Sequence, residues 1–314
     1  MSYMDTIAIS YHLPLSPAWI ETWGKNSETK GCKTYQMKLN FMGNKSIMVT
    51  YHPTDMNGDP IPSLIYTFSL PNMVGNCNHN LVFDMDEAIE EANRLLNGRD
   101  KLPPVKVEEG IIYRIDPVYQ YQVGGFVQDY VSCLLNAHYS HRETNPYKYR
   151  GVVFPSYHST TKFYGKQQQC HHPEAYGYLR HEKTIRGTSY IEKILGKREL
   201  SVLGISRPPT IPDITNSFIK AELDKDRERL GLNGTLICNR EAACEMLINS
   251  YGRIMGEKLI GFWLMRQGCT REQLVSSYGY DVSSVNRKEK MIRDAGVSLV
   301  SSARVALPPL SIEM

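Results

Sequence analysis

The chain has 314 residues, a formal net charge of +3 and a hydrophobic content of 41%, which is ordinary for a globular protein. It contains no run of about 18 apolar residues, so we expect no membrane-spanning helix. The N-terminus lacks the basic and apolar regions of a signal peptide, and the seven cysteines show no CxxC spacing. These features predict reduced thiols and a cytoplasmic location.

The positive charge is concentrated in one part of the chain. Residues 142–207 hold 12 Lys and Arg against 5 Asp and Glu, whereas residues 1–110 hold 9 against 13. A local surplus of positive charge indicates a polyanionic partner. A solvated surface with chance clustering of lysines and arginines is the alternative interpretation.

The first two-thirds of the chain has the pattern of a mixed sheet domain. Asp84 or Asp86 can cap a helix that runs to Leu96, with Gly98 at its end. A second helix is predicted from Phe126 to Ala137 and a short one from Thr188 to just before Gly196. Strands are predicted over 35–39, 47–51, 63–70, 111–121, 150–154, 158–166 and 178–186, with a turn-rich segment at 55–60.

A proline-rich segment, Arg207–Pro212, is the predicted domain boundary. Helices are predicted beyond it, over 213–230, 239–251, 256–267, 270–277 and 282–294. The pattern therefore predicts an α+β fold: an antiparallel sheet with flanking helices over 1–207, followed by a small all-helical domain over 208–314.

Two strands each carry an arginine and a carboxylate at alternate positions. Arg114 and Asp116 share one face of their strand, and Arg180 and Glu182 share one face of theirs, because side chains alternate along a strand. The two carboxylates are hard oxygen ligands that suit Mg²⁺ or Mn²⁺. Ordinary cross-strand ion pairs are the alternative.

Tyr164 lies between these strands in the sequence, with Lys166 two residues further on. A tyrosine hydroxyl can attack a phosphodiester if a neighbouring cation or base offsets its pKa near 10. On a strand, Lys166 would share the face of Tyr164 and could stabilise the phenolate or the transferring phosphate. Alone, a tyrosine is more often a packing residue than a nucleophile.

Four motifs in this order resemble the gene II replication initiators of filamentous phages and related plasmid replication proteins, over about residues 35 to 300. Residues 69–75 with His79-Asn80 resemble a family segment ending in Gly-His-Asn, and 114–116 resemble an Arg-Ile-Asp strand start. Residues 161–166 resemble the Tyr-x-Lys strand that carries the nucleophilic tyrosine, and 179–182 resemble a Leu/Val-Arg-Phe-Glu strand.

The resemblance implies a rolling-circle replication endonuclease of the HUH class, with an HUH-like, RRM-like nuclease domain. Such an enzyme nicks one strand of an origin, holds the 5′ phosphate on Tyr164, leaves a 3′ hydroxyl and later rejoins the strand. Its metal ligands would be Asp116, Glu182 and, as third candidate, His79. Expected partners are single-stranded or supercoiled origin DNA and a host helicase and polymerase, in the cytoplasm of a bacterial host cell.

The C-terminal region from Gly261 to Leu299 has the pattern of a helix-turn-helix. Its last helix carries four basic residues that are expected to contact DNA phosphates. The four are Arg287, Lys288, Lys290 and Arg293. Arg114 and Arg180 in the sheet domain are also expected to bind phosphates, or else to buttress the carboxylates. A helical region that only packs is the alternative, and for the whole chain the alternative is a non-catalytic DNA-binding replication or transcription regulator on the same fold.

Overall fold

The structure is a computed structural model. It describes residues 3–23, 25–29, 32–43, 45–54, 61–75, 81, 84–99, 102–137, 139, 141–195, 207–232, 237–302 and 306–312. The predicted third metal ligand, His79, and the turn-rich segment 55–60 lie outside these residues.

The described residues form ten strands that hydrogen bond in one sheet. They are β1 (Met4–Tyr11), β2 (Lys25–Thr29), β3 (Cys32–Asn40), β4 (Ser46–His52), β5 (Ser63–Ser69), β6 (Ile111–Gln122), β7 (Asn145–Tyr147), β8 (Gly151–Pro155), β9 (Ser159–Gly165) and β10 (Tyr178–Arg186). Their order across the sheet is β2-β3-β4-β5-β1-β6-β10-β9-β8-β7. The predicted α+β fold with an antiparallel sheet is confirmed.

Ten helices lie between the strands and after them in the described ranges. They are α1 (Pro17–Ile20), α2 (Leu70–Met73), α3 (Met85–Asn97), α4 (Val127–Leu135), α5 (Lys166–Cys170), α6 (Thr188–Leu195), α7 (Asn216–Arg229), α8 (Arg240–Gly268), α9 (Arg271–Ser276) and α10 (Val282–Asp294). The last three form the expected C-terminal helical region. None of the helices in the described ranges is both long and apolar enough to cross a membrane.

By its internal contacts the chain divides into two compact units, and each is built from two stretches of sequence. The first unit comprises residues 1–118 and 184–219, and the second comprises residues 119–183 and 220–314. None of the three breaks, at 118/119, 183/184 and 219/220, coincides with the predicted boundary at 207/208. That the segments 1–207 and 208–314 fold separately stays a prediction.

The first unit contains a run of antiparallel strands. β1 pairs with β5 from Thr6↔Ser69 to Tyr11↔Leu64, and β4 pairs with β5 from Ile47↔Phe68 to His52↔Ser63. The inward side chains of these strands are fully buried, among them Ile7, Leu64 and Tyr66. Helix α3 begins as predicted, because the Asp84 side chain accepts a hydrogen bond from the Asp86 amide at 2.9 Å.

The second unit contains strands β7, β8 and β9 and the C-terminal helices. A core of mainly apolar side chains holds α8, α9 and α10 together, and Trp263 in its centre donates its indole N–H to the Ser298 carbonyl at 2.8 Å. The range of α8 contains both of the helices predicted over 239–251 and 256–267. They are separated by a break at Gly252, whose φ of 72° and ψ of 168° are not helical.

Candidate active site

Strand β9 presents two candidate functional side chains on one face. Lys162 and Tyr164 are two residues apart on this strand, so both point to the same side of the sheet. The residues between and before them, Phe163 and Thr161, point to the opposite side and are completely buried. Alternation along β9 thus separates a polar face that carries Tyr164 from a face that belongs to the core.

Glu182 on β10 holds both of these side chains. The Tyr164 hydroxyl donates to one carboxylate oxygen of Glu182 at 2.8 Å, and the Lys162 ammonium donates to the other oxygen at 2.7 Å. Glu182 is 7% exposed and Tyr164 is 1% exposed. Charge-assisted hydrogen bonds in such a dry place are stronger than neutral ones at the surface. The arrangement fixes the position of the tyrosine hydroxyl.

The charge on Glu182 is stabilised by its neighbours. Burial raises the pKa of a carboxyl, but the charges of Lys162 and Arg180 and the hydrogen bonds from Lys162 and Tyr164 outweigh it and hold the Glu182 pKa below its usual range. Glu182 is therefore ionised at neutral pH and can accept a proton.

Two tyrosine rings of the β7–β8 hairpin pack against Tyr164. The Tyr147 and Tyr149 ring centroids lie 5.9 Å and 6.3 Å from that of Tyr164. The Lys162 ammonium lies 5.5 Å from the centroid of the Tyr147 ring. Together with the hydrogen bond to Glu182, these rings account for the burial of Tyr164.

The spacing of Lys166 predicted that it shares the strand face of Tyr164, but the structure places it outside the strand. Strand β9 ends at Gly165, and Lys166 is the first residue of α5. Its side chain is buried, and its ammonium donates to the Gln169 side chain at 2.5 Å. The lysine that bonds to Glu182 is Lys162, which the same alternation rule selects on the other side of Tyr164. A catalytic role for Lys166 stays a prediction.

Both arginines predicted beside the carboxylates are close to them. Arg114 forms a two-bond ion pair with Asp116 on β6, through Nε at 2.8 Å and through a second, shorter contact. Arg180 is completely buried, bonds to Gln120 at 3.4 Å and lowers the Glu182 pKa. These contacts agree with buttressing of the carboxylates, whereas phosphate binding by either arginine stays a prediction.

The predicted metal ligands belong to parts of the chain that are described separately. Asp116 lies in the first unit and Glu182 in the second, and His79 is outside the described residues. Over the described ranges, no three His, Cys, Asp or Glu side chains are grouped so that they could hold a metal ion. Both Glu182 oxygens already accept hydrogen bonds from the protein. The Mg²⁺ or Mn²⁺ requirement stays a prediction.

Behind the sheet face of Tyr164 lies a buried network centred on Asp226 of α7. The Asp226 carboxylate, 0% exposed, accepts from Tyr139 at 2.6 Å, from Thr161 at 2.7 Å and from Lys183 at 2.9 Å, and lies 3.4 Å from a His181 ring nitrogen. The pKa of Asp226 is lowered, because hydrogen bonding to His181 and the Lys183 charge overcome the effect of burial. Sequence reasoning missed this network, since nothing near residue 226 marks it.

His181 takes part in this network and not in the Glu182 site. Its ring stacks on Phe163 with centroids 4.2 Å apart, and its Nδ1 lies 3.4 Å from the Tyr121 hydroxyl. His181 thus points away from Glu182, as the alternation of side chains along β10 requires. Complete burial lowers the His181 pKa, helped by the charges of Lys183 and Arg227 and opposed by Asp226. The imidazole is therefore neutral at pH 7.

Three of the four basic residues predicted to contact DNA on α10 make contacts within the protein. Lys288 lies over the rings of Phe262 and Tyr280, at 5.1 Å and 4.4 Å. Lys290 pairs with Asp294 at 2.6 Å, and Arg293 lies 3.8 Å from Glu289. Arg287 is exposed. Their role in DNA binding stays a prediction.

Arg293 also lines a cavity of about 550 Å³ within the second unit. Arg266 and Arg271 lie in its wall and pair with Glu289, which is 1% exposed. The buried glutamate thus offsets part of the positive charge that gathers there. This cluster joins the end of α8 and the start of α9 to α10.

Comparison with known proteins gives limited similarity. No family model and no curated protein matches the chain. Among solved structures it is similar to a rolling circle replication initiator protein from Geobacillus stearothermophilus, with 12% identity, a TM-score of 0.29, and coverage of 72% of this chain and 96% of that one. It is also similar to the di-domain ARO/CYC StfQ from the steffimycin biosynthetic pathway, with 10% identity, a TM-score of 0.22, and coverage of 71% of this chain and 94% of that one. At these scores neither likeness identifies an activity.

The fold and the site define a class in structural terms. The chain is an α+β protein whose antiparallel sheet carries a buried tyrosine–glutamate–lysine cluster, followed by a helical region.

Proposed function

We propose that this chain is a DNA nicking and joining enzyme of the rolling-circle type, with Tyr164 as nucleophile and single-stranded or supercoiled origin DNA as substrate. The observation that carries the proposal is the hydrogen bond of 2.8 Å from the Tyr164 hydroxyl to Glu182, whose second oxygen binds Lys162 at 2.7 Å. An oxygen nucleophile, a proton acceptor and a cation are the groups that phosphoryl transfer to a tyrosine needs.

In the proposed reaction, the Tyr164 oxygen forms a bond to phosphorus while the bond from phosphorus to the 3′ oxygen breaks. The tyrosine proton passes to Glu182, and the leaving 3′ oxygen takes up a proton from water and becomes a hydroxyl. Glu182 then gives its proton to the hydroxide that remains, which restores both the carboxylate and the water. Because its pKa is depressed, Glu182 is a weak base. The proton therefore moves as the new bond forms and not before. Lys162 would stabilise the charge on the transferring phosphate.

The substrate can reach Tyr164 only if part of its cover moves. Tyr164 is 1% exposed, and the rings of Tyr147 and Tyr149 lie against it. Both rings belong to the β7–β8 hairpin. Attack therefore requires this hairpin or its side chains to shift when DNA binds.

The requirement for Mg²⁺ or Mn²⁺, with Asp116, Glu182 and His79 as ligands, belongs to the proposal as a prediction from the sequence. The described donors do not gather into a metal site, so we derive no step through a metal. A host helicase would unwind the DNA and a host polymerase would extend the 3′ hydroxyl, in the cytoplasm of a bacterial host cell.

A denaturing-gel assay tests the proposal. Purified protein is mixed with single-stranded oligonucleotides that tile the non-coding DNA beside its gene, with Mn²⁺ or with EDTA. We expect a covalent adduct that requires the metal and is absent in Tyr164→Phe. Tyr130→Phe is the matched control, because Tyr130 is equally buried and also donates one hydrogen bond, to the Pro308 carbonyl at 2.6 Å. An adduct that persists in Tyr164→Phe would refute Tyr164 as the nucleophile.

The burial of Tyr164 favours a second candidate, a non-catalytic DNA-binding regulator on the same fold. A buried tyrosine whose hydroxyl bonds to a glutamate is also found in the cores of proteins that only bind, because buried polar groups need hydrogen-bond partners. DNA binding without an adduct, across metals and sequences, would support this candidate.

A further inference from the structure

The tip of the β7–β8 hairpin places an aromatic side chain between two basic ones beside Tyr164. Lys148, Tyr149 and Arg150 connect the two strands, and all three are exposed. Tyr149 keeps 38% of its surface exposed although its ring packs against Tyr164. An exposed ring flanked by positive charges fits an unpaired base and the phosphates on either side of it.

The backbone of this tip is unusual for its sequence. Tyr149 has a φ of 61° and Arg150 a φ of 53°, so two consecutive side-chain-bearing residues lie in the left-handed region. Glycine and asparagine adopt this conformation readily, whereas tyrosine and arginine do so at a cost. Backbone strain of this kind is concentrated at functional sites. The fold keeps tyrosine and arginine where asparagine and glycine would form an easier turn.

The base of the hairpin is fixed against the strand of the candidate nucleophile. Gly151 pairs with Tyr147, and a Cβ atom at Gly151 would lie 2.6 Å from the Phe163 carbonyl oxygen and 2.7 Å from the Tyr164 Cβ. Only glycine permits this close approach. The position of the tip relative to Tyr164 is therefore set by main-chain packing.

We propose that the hairpin tip is a binding subsite for single-stranded DNA, in which Tyr149 stacks on a base and Arg150 binds a backbone phosphate next to the scissile one. This inference rests on the proposed function, because it uses the position of Tyr164. Single-stranded DNA fits better than a duplex, since the faces of paired bases are covered by their neighbours in the stack. Binding here would also displace the ring that covers Tyr164.

The test separates fold stability from DNA binding. The double variant Tyr149→Asn/Arg150→Gly gives the turn residues that accept a left-handed φ, so its melting temperature should equal or exceed that of the wild type. Binding is measured by fluorescence anisotropy in a Tyr164→Phe background, with a labelled single-stranded oligonucleotide of mixed sequence. We expect affinity to fall about tenfold or more, the size of one lost base stack.

Single variants and controls assign the effect to the two side chains. Tyr149→Phe keeps the ring, so its affinity should lie within about twofold of that of the parent. In Arg150→Gly the plot of log affinity against log salt concentration should be less steep by about 0.7, the change expected for the loss of one contact to a single-strand phosphate. Tyr176→Asn is the matched control, since Tyr176 is 60% exposed and lies outside the hairpin. Its affinity should not change.

The outcomes distinguish this inference from the proposed function. Unchanged affinity in the double variant would refute the subsite even if the wild type forms its adduct. A loss of affinity without any adduct in the wild type would keep the subsite and refute the nicking activity. Equal losses for the duplex form of the oligonucleotide, or competition by a free mononucleotide alone, would also refute a single-strand subsite.

Discussion

Removal of the buried carboxylate of Asp226 gives the most direct test of how the second unit is held together. In Asp226→Ala, the hydroxyls of Tyr139 and Thr161, which donate at 2.6 Å and 2.7 Å, lose their acceptor in a dry environment. Lys183 loses a partner at 2.9 Å but keeps Glu222 at 3.1 Å. Removing one member of a buried charged network costs about 3–5 kcal/mol.

A loss of this size is a large part of the stability of a domain, which is about 5–15 kcal/mol. For a unit of this length, each kcal/mol lowers the melting temperature by about 2–4 °C. Asp226→Ala should therefore lower the melting temperature by about 10 °C, as measured by circular dichroism. Asp226→Asn, which keeps an acceptor oxygen, should lower it less.

The control is a carboxylate on the surface. Asp294 pairs with Lys290 at 2.6 Å, but its side chain is 50% exposed and that of Lys290 is 72% exposed. Pairs as exposed as this one contribute little to stability, so Asp294→Ala should melt close to the wild type. If Asp226→Ala melts as Asp294→Ala does, the buried network does not stabilise the fold and the reasoning is wrong.

Two further predictions concern pH and close packing. Because burial holds the pKa of His181 below its usual value, the unfolded chain binds a proton at this position as the pH falls below about 6.5 while the native protein does not. Stability should therefore decrease from about pH 7 to pH 5. His181→Gln keeps a hydrogen-bonding side chain but cannot titrate, so its melting temperature should change less between pH 7 and pH 5 than that of the wild type. An equal change in both proteins would contradict the view that His181 causes the pH dependence. Gly151→Ala should cost about 1–3 kcal/mol in urea unfolding, because its methyl group would overlap the backbone at Phe163. Gly261→Ala in helix α8 is the control, because nothing lies within 4 Å of the added Cβ, and this change should be neutral or stabilising. If the two changes alter the free energy of unfolding equally, the close contact at Gly151 is not the cause.

The sequence was informative where local rules decide the structure. Asp84 is one of the two N-caps predicted for α3, and the helices predicted to start at 239 and 282 also begin close to those positions. Asp84, Asn239 and Asp281 each accept a hydrogen bond from a backbone amide of the helix that follows. The strand that carries Glu182 has the predicted bounds, 178–186. Alternation also placed Arg114 beside Asp116 and turned His181 away from Glu182. These features depend on neighbours within a few residues.

Other features depend on contacts that local patterns do not encode. The end of β9 at Gly165 moves Lys166 into a helix, so an error of one residue in a strand boundary is enough to remove this lysine from the predicted face of Tyr164. Strand β1 was missed: most of its residues are buried on both sides, which removes the alternation used to predict strands. Asp226 was missed because its partners are 43 to 87 positions earlier in the chain.

The position of Asp226 in the chain has a consequence for synthesis. Residues 161, 181 and 183 leave the ribosome well before residue 226, which completes their buried hydrogen bonds. Until then, the ammonium of Lys183 has none of its carboxylate partners, because Glu222 is also on α7. A nascent chain that ends at the proline segment holds both Tyr164 and Glu182 but lacks the carboxylates of α7 that pair with Lys183. The strands that carry the candidate site therefore reach their final packing only after α7 has emerged.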